Sequence, residues 1–219
     1  LQTGTKLAAI GKLIIDPAAG VKTELVTGYA NSDAATAKAL ADIEAELAGV
    51  LQEKVATTTV ALTSKDPATG DRAVRTAETN LGDLCADAYR NMMGADVGLT
   101  NGGGIRADID AGDITYEEII NVQPYGNAMC LIEATGQQLL DALELGARLY
   151  PEENGGFLQV SGLSYSFDPS IPTSVVCDDH GAFVKVEGDR RVYNVTFFFN
   201  DIETSEIYTV ASHNYMLKN

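Results

Sequence analysis

The chain has 219 residues, 45% of them hydrophobic, and 15 Lys and Arg against 31 Asp and Glu give a formal net charge of −16. That length buries a substantial core in one large domain or two small ones. The excess of acid excludes a nucleic-acid binder or a polybasic membrane anchor, yet leaves room for a local basic site that takes a small anion.

No run of 18 apolar residues is present, so no transmembrane segment is expected, and Leu1-Gln-Thr-Gly-Thr-Lys6 lacks the regions of a signal peptide. Residues 6–15 predict a strand, Asp16-Pro17-Ala18-Ala19-Gly20 a turn, and residues 21–28 the returning strand of a hairpin. From Ser32 or Asp33, either a suitable cap, the period lengthens to that of a helix, with Leu40, Ile43, Leu47 and Val50 on one face. This helix reads equally as a core element or as a link between domains. Residues 54–62 predict a strand and Ser64–Arg72 a polar loop. A second helix begins near Thr79 or Asn80, with Leu81, Leu84, Cys85, Ala88 and Met92 on its apolar face. A short strand, Asp96–Thr100, runs straight into Asn101-Gly-Gly-Gly-Ile-Arg106, and Asp108–Asp113 reads as an acidic turn.

A short helix is expected around 115–121, a strand near 128–133, and then a capping box, Thr135-Gly-Gln-Gln138, opening a helix with Leu139, Leu140, Leu143 and Ala147 inward. The remainder is strand-rich, with strands over 157–167, 182–187, 192–199 and 208–212. The layout is α+β (mixed α/β) with strands dominating the C-terminal third. Cys85, Cys130 and Cys177 are spaced too widely for a CxxC motif, and the first two fall in apolar stretches where a buried thiol is expected.

The hexapeptide Asn101–Arg106 is the most informative stretch. Three successive glycines either turn backbone N–H groups toward an anion or let a ligand approach closely, with a plain glycine turn as the alternative, and the arginine adds a fork of donors suited to phosphate. A Walker A loop is excluded, because Gly104 is followed by Ile105-Arg106. A dinucleotide fingerprint needs a helix opening inside the motif, whereas Asp108–Asp113 follows here. Asp178-Asp179-His180 has residue types that could bind a metal but reads as a solvated loop, and neither His180 nor His213 has a Gly-x-Ser-x-Gly serine to serve. The residues alone indicate a binder of something anionic with no catalytic centre.

The hexapeptide, with Glu78-Thr-Asn-Leu-Gly-Asp83 upstream and Gln123-Pro-Tyr-Gly126 downstream, resembles the C-terminal domain of the 5'-nucleotidase family. Further matches follow in order: Thr135-Gly136 heading a helix, Gly156-Phe-Leu-Gln-Val-Ser-Gly162 and Tyr208–Tyr215. The resemblance implies a C-terminal substrate-binding domain over 54–219, a bridging helix over 31–53, and residues 1–30 as closing strands of an N-terminal metallophosphoesterase domain. It also implies a secreted, periplasmic or cell-surface hydrolase that dephosphorylates nucleotides, with its divalent metal ions in that N-terminal domain. The metal-binding motifs of that domain are not in this sequence, so the chain is expected to be an inactive fragment without a cofactor of its own. Its expected partners are a nucleotide or nucleoside and the parent's catalytic domain.

By the same resemblance, Arg75, Asn101 and Arg106 are polar contacts to substrate beside Gly103 and Gly104, and Tyr125 and Tyr215 sandwich the base, where family members often have Phe. The family continues with a Gly-Gly-Asp-Gly segment whose Asp holds the ribose, and this sequence ends just before it, so the pocket is expected to be incomplete. A stand-alone nucleotide-binding or adhesion module is the alternative reading.

Overall fold

The computed structural model describes Thr3 and residues 8–218, and the chain divides into two compact units, residues 1–50 and 51–219. In the first, β1 (Ile10–Asp16) and β2 (Gly20–Val26) pair antiparallel from Ile10↔Val26 to Asp16↔Gly20. The Asp16 carboxylate accepts the backbone N–H groups of Ala18 and Ala19 at 2.7 and 2.9 Å, which closes the turn. Residues 6 and 7 of the expected first strand lie outside the described residues. The first helix, α1 (Ala34–Leu51), is capped by Asp33, whose carboxylate accepts the Thr36 N–H at 2.8 Å. None of its residues is buried, and Leu40, Ile43, Leu47 and Val50 are all exposed, so the core-helix reading does not hold.

The second unit opens with β3 (Lys54–Thr58), α2 (Asn80–Met93), β4 (Val97–Asn101), β5 (Gly112–Thr115), α3 (Tyr116–Val122), β6 (Met129–Thr135) and α4 (Gly136–Ala147). It continues with β7 (Leu158–Ser161), β8 (Leu163–Phe167), β9 (Val175–Cys177), β10 (Phe183–Val186), β11 (Val192–Phe197), β12 (Asn200–Asp201), β13 (Ile207–His213) and α5 (Asn214–Lys218). Helices and strands are mixed and strands dominate the end of the chain, as the composition of periods predicts.

Four strands form the central sheet in the order β6-β13-β4-β7, in which β13 runs parallel to β4 and the other neighbours are antiparallel. A three-stranded sheet, β12-β11-β8, shares a core with it and with α4, built on Val97, Leu99, Leu143, Leu158, Val195 and Val210. A second cluster, including Val74, Leu81, Ile105, Ile109 and Val122, fixes the loops that flank the hexapeptide. The expected capping box forms at Thr135 with Gln138, and a second, at Thr115 with Glu118, opens α3.

Beyond α4 the chain turns toward residues 154–156 over a buried polar cluster. Glu144, fully buried, accepts from Ser174 Oγ at 2.8 Å and from the N–H groups of Arg191 and Val192 at 3.0 and 2.9 Å. The Arg191 guanidinium donates to the carbonyls of Ala147, Arg148 and Tyr150, satisfying the C-terminal end of that helix.

Four expectations need correction. The buried side of α2 is its small-residue side, Gly82 and Ala86 with Leu81 and Cys85, whereas Leu84, Ala88 and Met92 are exposed. The acidic turn at 108–113 ends in a strand, since Gly112 and Asp113 pair with Thr58 and Thr57 of β3. The strand over 157–167 is two, broken at Gly162 with φ 82°. Cys130 is only half-buried, because β6 is the outer strand of its sheet.

Candidate functional site

The hexapeptide leaves the end of β4, deep in the molecule: every residue of that strand is buried, Asn101 included. Gly102–Gly104 form one 3-10 turn, and Ile105 then returns to extended backbone, so no helix opens inside the motif and a dinucleotide site is excluded on geometry. Two of the three glycine N–H groups are already used. Gly102 donates to Phe157 O at 2.8 Å and Gly103 to Gly155 O at 2.9 Å. These two amides do not cradle an anion. The glycines serve close approach instead: a Cβ on Gly102 would stand 1.9 Å from Val74 O, and one on Gly103 2.8 Å from Gly155 O.

Beside this turn lies a cleft of about 530 Å³ lined by Arg75, Asn101, Gly103, Gly104, Tyr125, Asn127, Gly155, His213 and Tyr215. Six of the seven positions singled out in the sequence therefore face one cavity. The seventh, Arg106, stands at its margin, its Nη1 donating to Gly103 O at 3.4 Å. Tyr125 sits in the turn after α3 and Tyr215 in the first turn of α5, and both are well exposed, at 59% and 60%. Tyr215 thus belongs to a short helix, where its sequence reads as a loop. Its ring lies 6.2 Å from the His213 imidazole, tilted by 34°.

Asn101 is oriented by two partners. Its Nδ2 donates to Gly155 O at 2.9 Å, which leaves Oδ1 to accept from His213 Nε2 at 3.1 Å. Oδ1 can only accept, so Nε2 carries the proton. His213 is 2% exposed, with Tyr89 edge-on at 6.0 Å, and its Nδ1 is buried without a hydrogen-bond partner. Burial accordingly pushes its pKa below the ordinary histidine value and holds the ring neutral. His213, Asn127 and Gly155 were not singled out from the sequence. A lone histidine at a strand end carries no local signal, and Gly155 enters only through the hydrogen bonds that join its loop to Asn101 and Gly103.

The cleft is a positive locality on an acidic chain. Burial lowers the Arg75 pKa and so do the neighbouring Arg72 and Arg106, while Glu153 opposes them. Glu153 is engaged mainly elsewhere: it holds the Arg72 guanidinium through two hydrogen bonds, and its nearest contact to Arg75 Nη1 is 3.9 Å. A half-buried guanidinium with like charges beside it gains from a bound anion.

Elsewhere, Asp178 turns its carboxylate onto the N–H groups of His180 and Ala182, closing an exposed hairpin, so Asp178-Asp179-His180 is a loop, as its sequence reads. Among the described residues no group of three or more His, Cys, Asp or Glu side chains is placed to hold a metal ion. No described helix is long and apolar enough to cross a membrane.

Residues 54–219 match the model of the 5'-nucleotidase C-terminal domain. The trifunctional nucleotide phosphoesterase protein YfkN of Bacillus subtilis is 39% identical over 180 residues, which is 78% of this chain and 11% of that protein. The cell wall protein Lmo0130 of Listeria monocytogenes is 31% identical over 216 residues, covering 90% of this chain and 27% of that one. Among solved structures, a 5'-nucleotidase precursor from Thermus thermophilus aligns with a TM-score of 0.68 at 29% identity, over 95% of this chain and 40% of its own. This chain therefore spans less than half the length of each of these relatives. The match over 54–219 covers most of the chain and all of the cleft, and the chain belongs to the 5'-nucleotidase C-terminal domain family.

Proposed function

We propose that the cleft binds a nucleotide, and that the chain is the substrate-holding part of a hydrolase that removes phosphate from nucleotides. One observation carries this reading: a half-buried arginine and two exposed tyrosines, distant in sequence, line the same 530 Å³ cavity beside a fixed Asn–His pair. A flat heterocycle needs ring faces, a phosphate needs guanidinium donors, and a sugar needs fixed polar atoms; all three are here within one small cavity. Tyr125 and Tyr215 flank the base, Arg75 and Arg106 take phosphate oxygens, and Asn101, held rigid by His213 and Gly155, presents a defined edge to the polar middle of the ligand. Gly104 keeps the wall low.

Hydrolysis itself belongs outside this chain. The described carboxylates and histidines do not fit a metal centre. Divalent ions and the attacking water belong to a preceding metallophosphoesterase domain, of which residues 1–30 are the closing strands and residues 31–53 the bridging helix. The likeness to a cell wall protein supports placing the whole enzyme outside the cytoplasm. The test is calorimetric titration of the chain with a panel of nucleosides and nucleotides. Saturable binding of nucleotides, tighter than of the corresponding nucleosides, is expected; no binding of any member refutes the reading.

A further inference from the structure

Two motifs of the sequence, Glu78–Asp83 and Gly156–Gly162, touch the cleft hardly at all, yet they meet at one buried side chain. Arg75 reaches the cleft from the irregular segment 74–79, which follows no strand and precedes α2. Backbone carbonyls in such a segment have no ladder to join and must find other partners. They find Gln159 of β7, which is 1% exposed. Its Nε2 donates to Val74 O at 3.1 Å and to Ala77 O at 2.7 Å. Its Oε1 accepts from the N–H and the hydroxyl of Thr79, at 3.0 and 3.4 Å. Two donors and two acceptor positions exhaust what a carboxamide offers. Between those two, Arg75 O accepts instead from Asn154 N at 3.1 Å.

The neighbours are shaped around this amide. A Cβ on Gly82, in the first turn of α2, would stand 2.0 Å from Gln159 Oε1, and one on Gly102 would stand 1.9 Å from Val74 O, which Gln159 holds. Residues 74–79 are thereby gripped on both flanks of Arg75, at Val74 and at Ala77, by a single group on a central-sheet strand.

We propose that Gln159 is the positioning residue for Arg75: it acts on the ligand only through the guanidinium, by fixing the backbone that carries it. The proposal rests on the reading of the cleft as a nucleotide site. It predicts coupling between two residues that belong to different elements.

The experiment is a double-mutant cycle on the 219-residue chain, with AMP and adenosine as probes, calorimetry as the readout and thermal melts in parallel. Gln159→Met is expected to weaken AMP binding about tenfold in the otherwise native chain and less than about twofold in the Arg75→Ala background. Adenosine affinity is expected to change less than about twofold in both. Native AMP affinity in Arg75→Ala would overturn the reading of the cleft. Weakening in Arg75→Ala together with an unchanged Gln159→Met, or an equal loss in both backgrounds, would overturn the positioning role alone.

Should Gln159→Met fail to fold, hydrogen exchange of the Gln159 side-chain amide is measured by NMR in the unsubstituted chain. AMP is expected to slow that exchange about tenfold and adenosine to leave it unchanged. Any other pattern overturns the positioning role.

Discussion

His213 gives the sharpest physical test of the cleft's rigidity. Replacing it by Leu removes the donor to Asn101 Oδ1 while keeping a side chain of similar volume in a site that is 2% exposed. The buried amide oxygen is then left unsatisfied, at a cost of about 1–3 kcal/mol. For a chain of this size that corresponds to a fall in Tm of about 2–12 °C at pH 7.5. The pH dependence is more telling. Burial lowers the His213 pKa in the folded state, and burial also pushes the pKa of Tyr89, which faces it edge-on, up to about 12. Below the ordinary value near 6.5 the unfolded chain therefore takes up a proton that the folded chain refuses. Stability must rise with pH through that window, by up to about 1.4 kcal/mol per pH unit from this one group.

His213→Leu abolishes that contribution. Asp83 works the other way: its pKa is raised to about 6 by burial and by Glu78 and Asp87, so its stabilisation is present at low pH and lost as pH passes 6. Only the difference between native and variant slopes isolates His213. Urea denaturation at half-unit steps from pH 5 to 8 measures it. A native slope more positive than the variant's is expected below about pH 6.5. Equal slopes, or a native slope more negative than the variant's, would refute a neutral, donating imidazole.

Three further expectations concern the site. Tyr125→Ala and Tyr215→Ala should each weaken nucleotide binding by about 1–3 kcal/mol, about 5- to 150-fold, while Tyr→Phe is nearly neutral, and calorimetry in which both Ala variants keep native affinity would sink the aromatic clamp. Gly102→Ala should cost stability first, because its Cβ would meet Val74 O at 1.9 Å, whereas at Gly104 the nearest atom is the Asn101 side-chain oxygen at 3.1 Å; Gly104→Val should thus lower affinity more than Tm, as paired melts and titrations will show. The isolated chain should release no phosphate from AMP with added Mn²⁺, Zn²⁺ or Co²⁺, and turnover that survives repurification and disappears in Asp178→Ala or His180→Ala would reverse that expectation.

Local signals carried the elements whose cause is local. Thr135 with Gln138, Asp33 ahead of an Ala-rich helix, and Asp16-Pro17 at a turn are each decided within four residues, and each forms where its chemistry predicts. What escaped depends on distant partners. Asp108–Asp113 reads as an acidic turn, but Gly112 and Asp113 pair with β3 in a two-stranded antiparallel sheet whose strands are more than fifty residues apart. The inner face of α2 is hidden because its contacts are made by Gly82 and Ala86, which a search for large apolar residues overlooks. The parallel pairing of β13 with β4 brings His213 beside Asn101 across 112 residues, and nothing around either residue announces it. The seven site positions were legible as a family resemblance; that six of them line one cavity is a property of the fold.

The most direct measurement is a crystal structure of the chain with AMP bound. The account predicts the adenine between Tyr125 and Tyr215, phosphate oxygens within hydrogen-bond reach of Arg75 or Arg106, and Asn101 still joined to His213 and Gly155. AMP seated elsewhere on the molecule, or in this cleft with its base away from both rings and its phosphate away from both arginines, would contradict it.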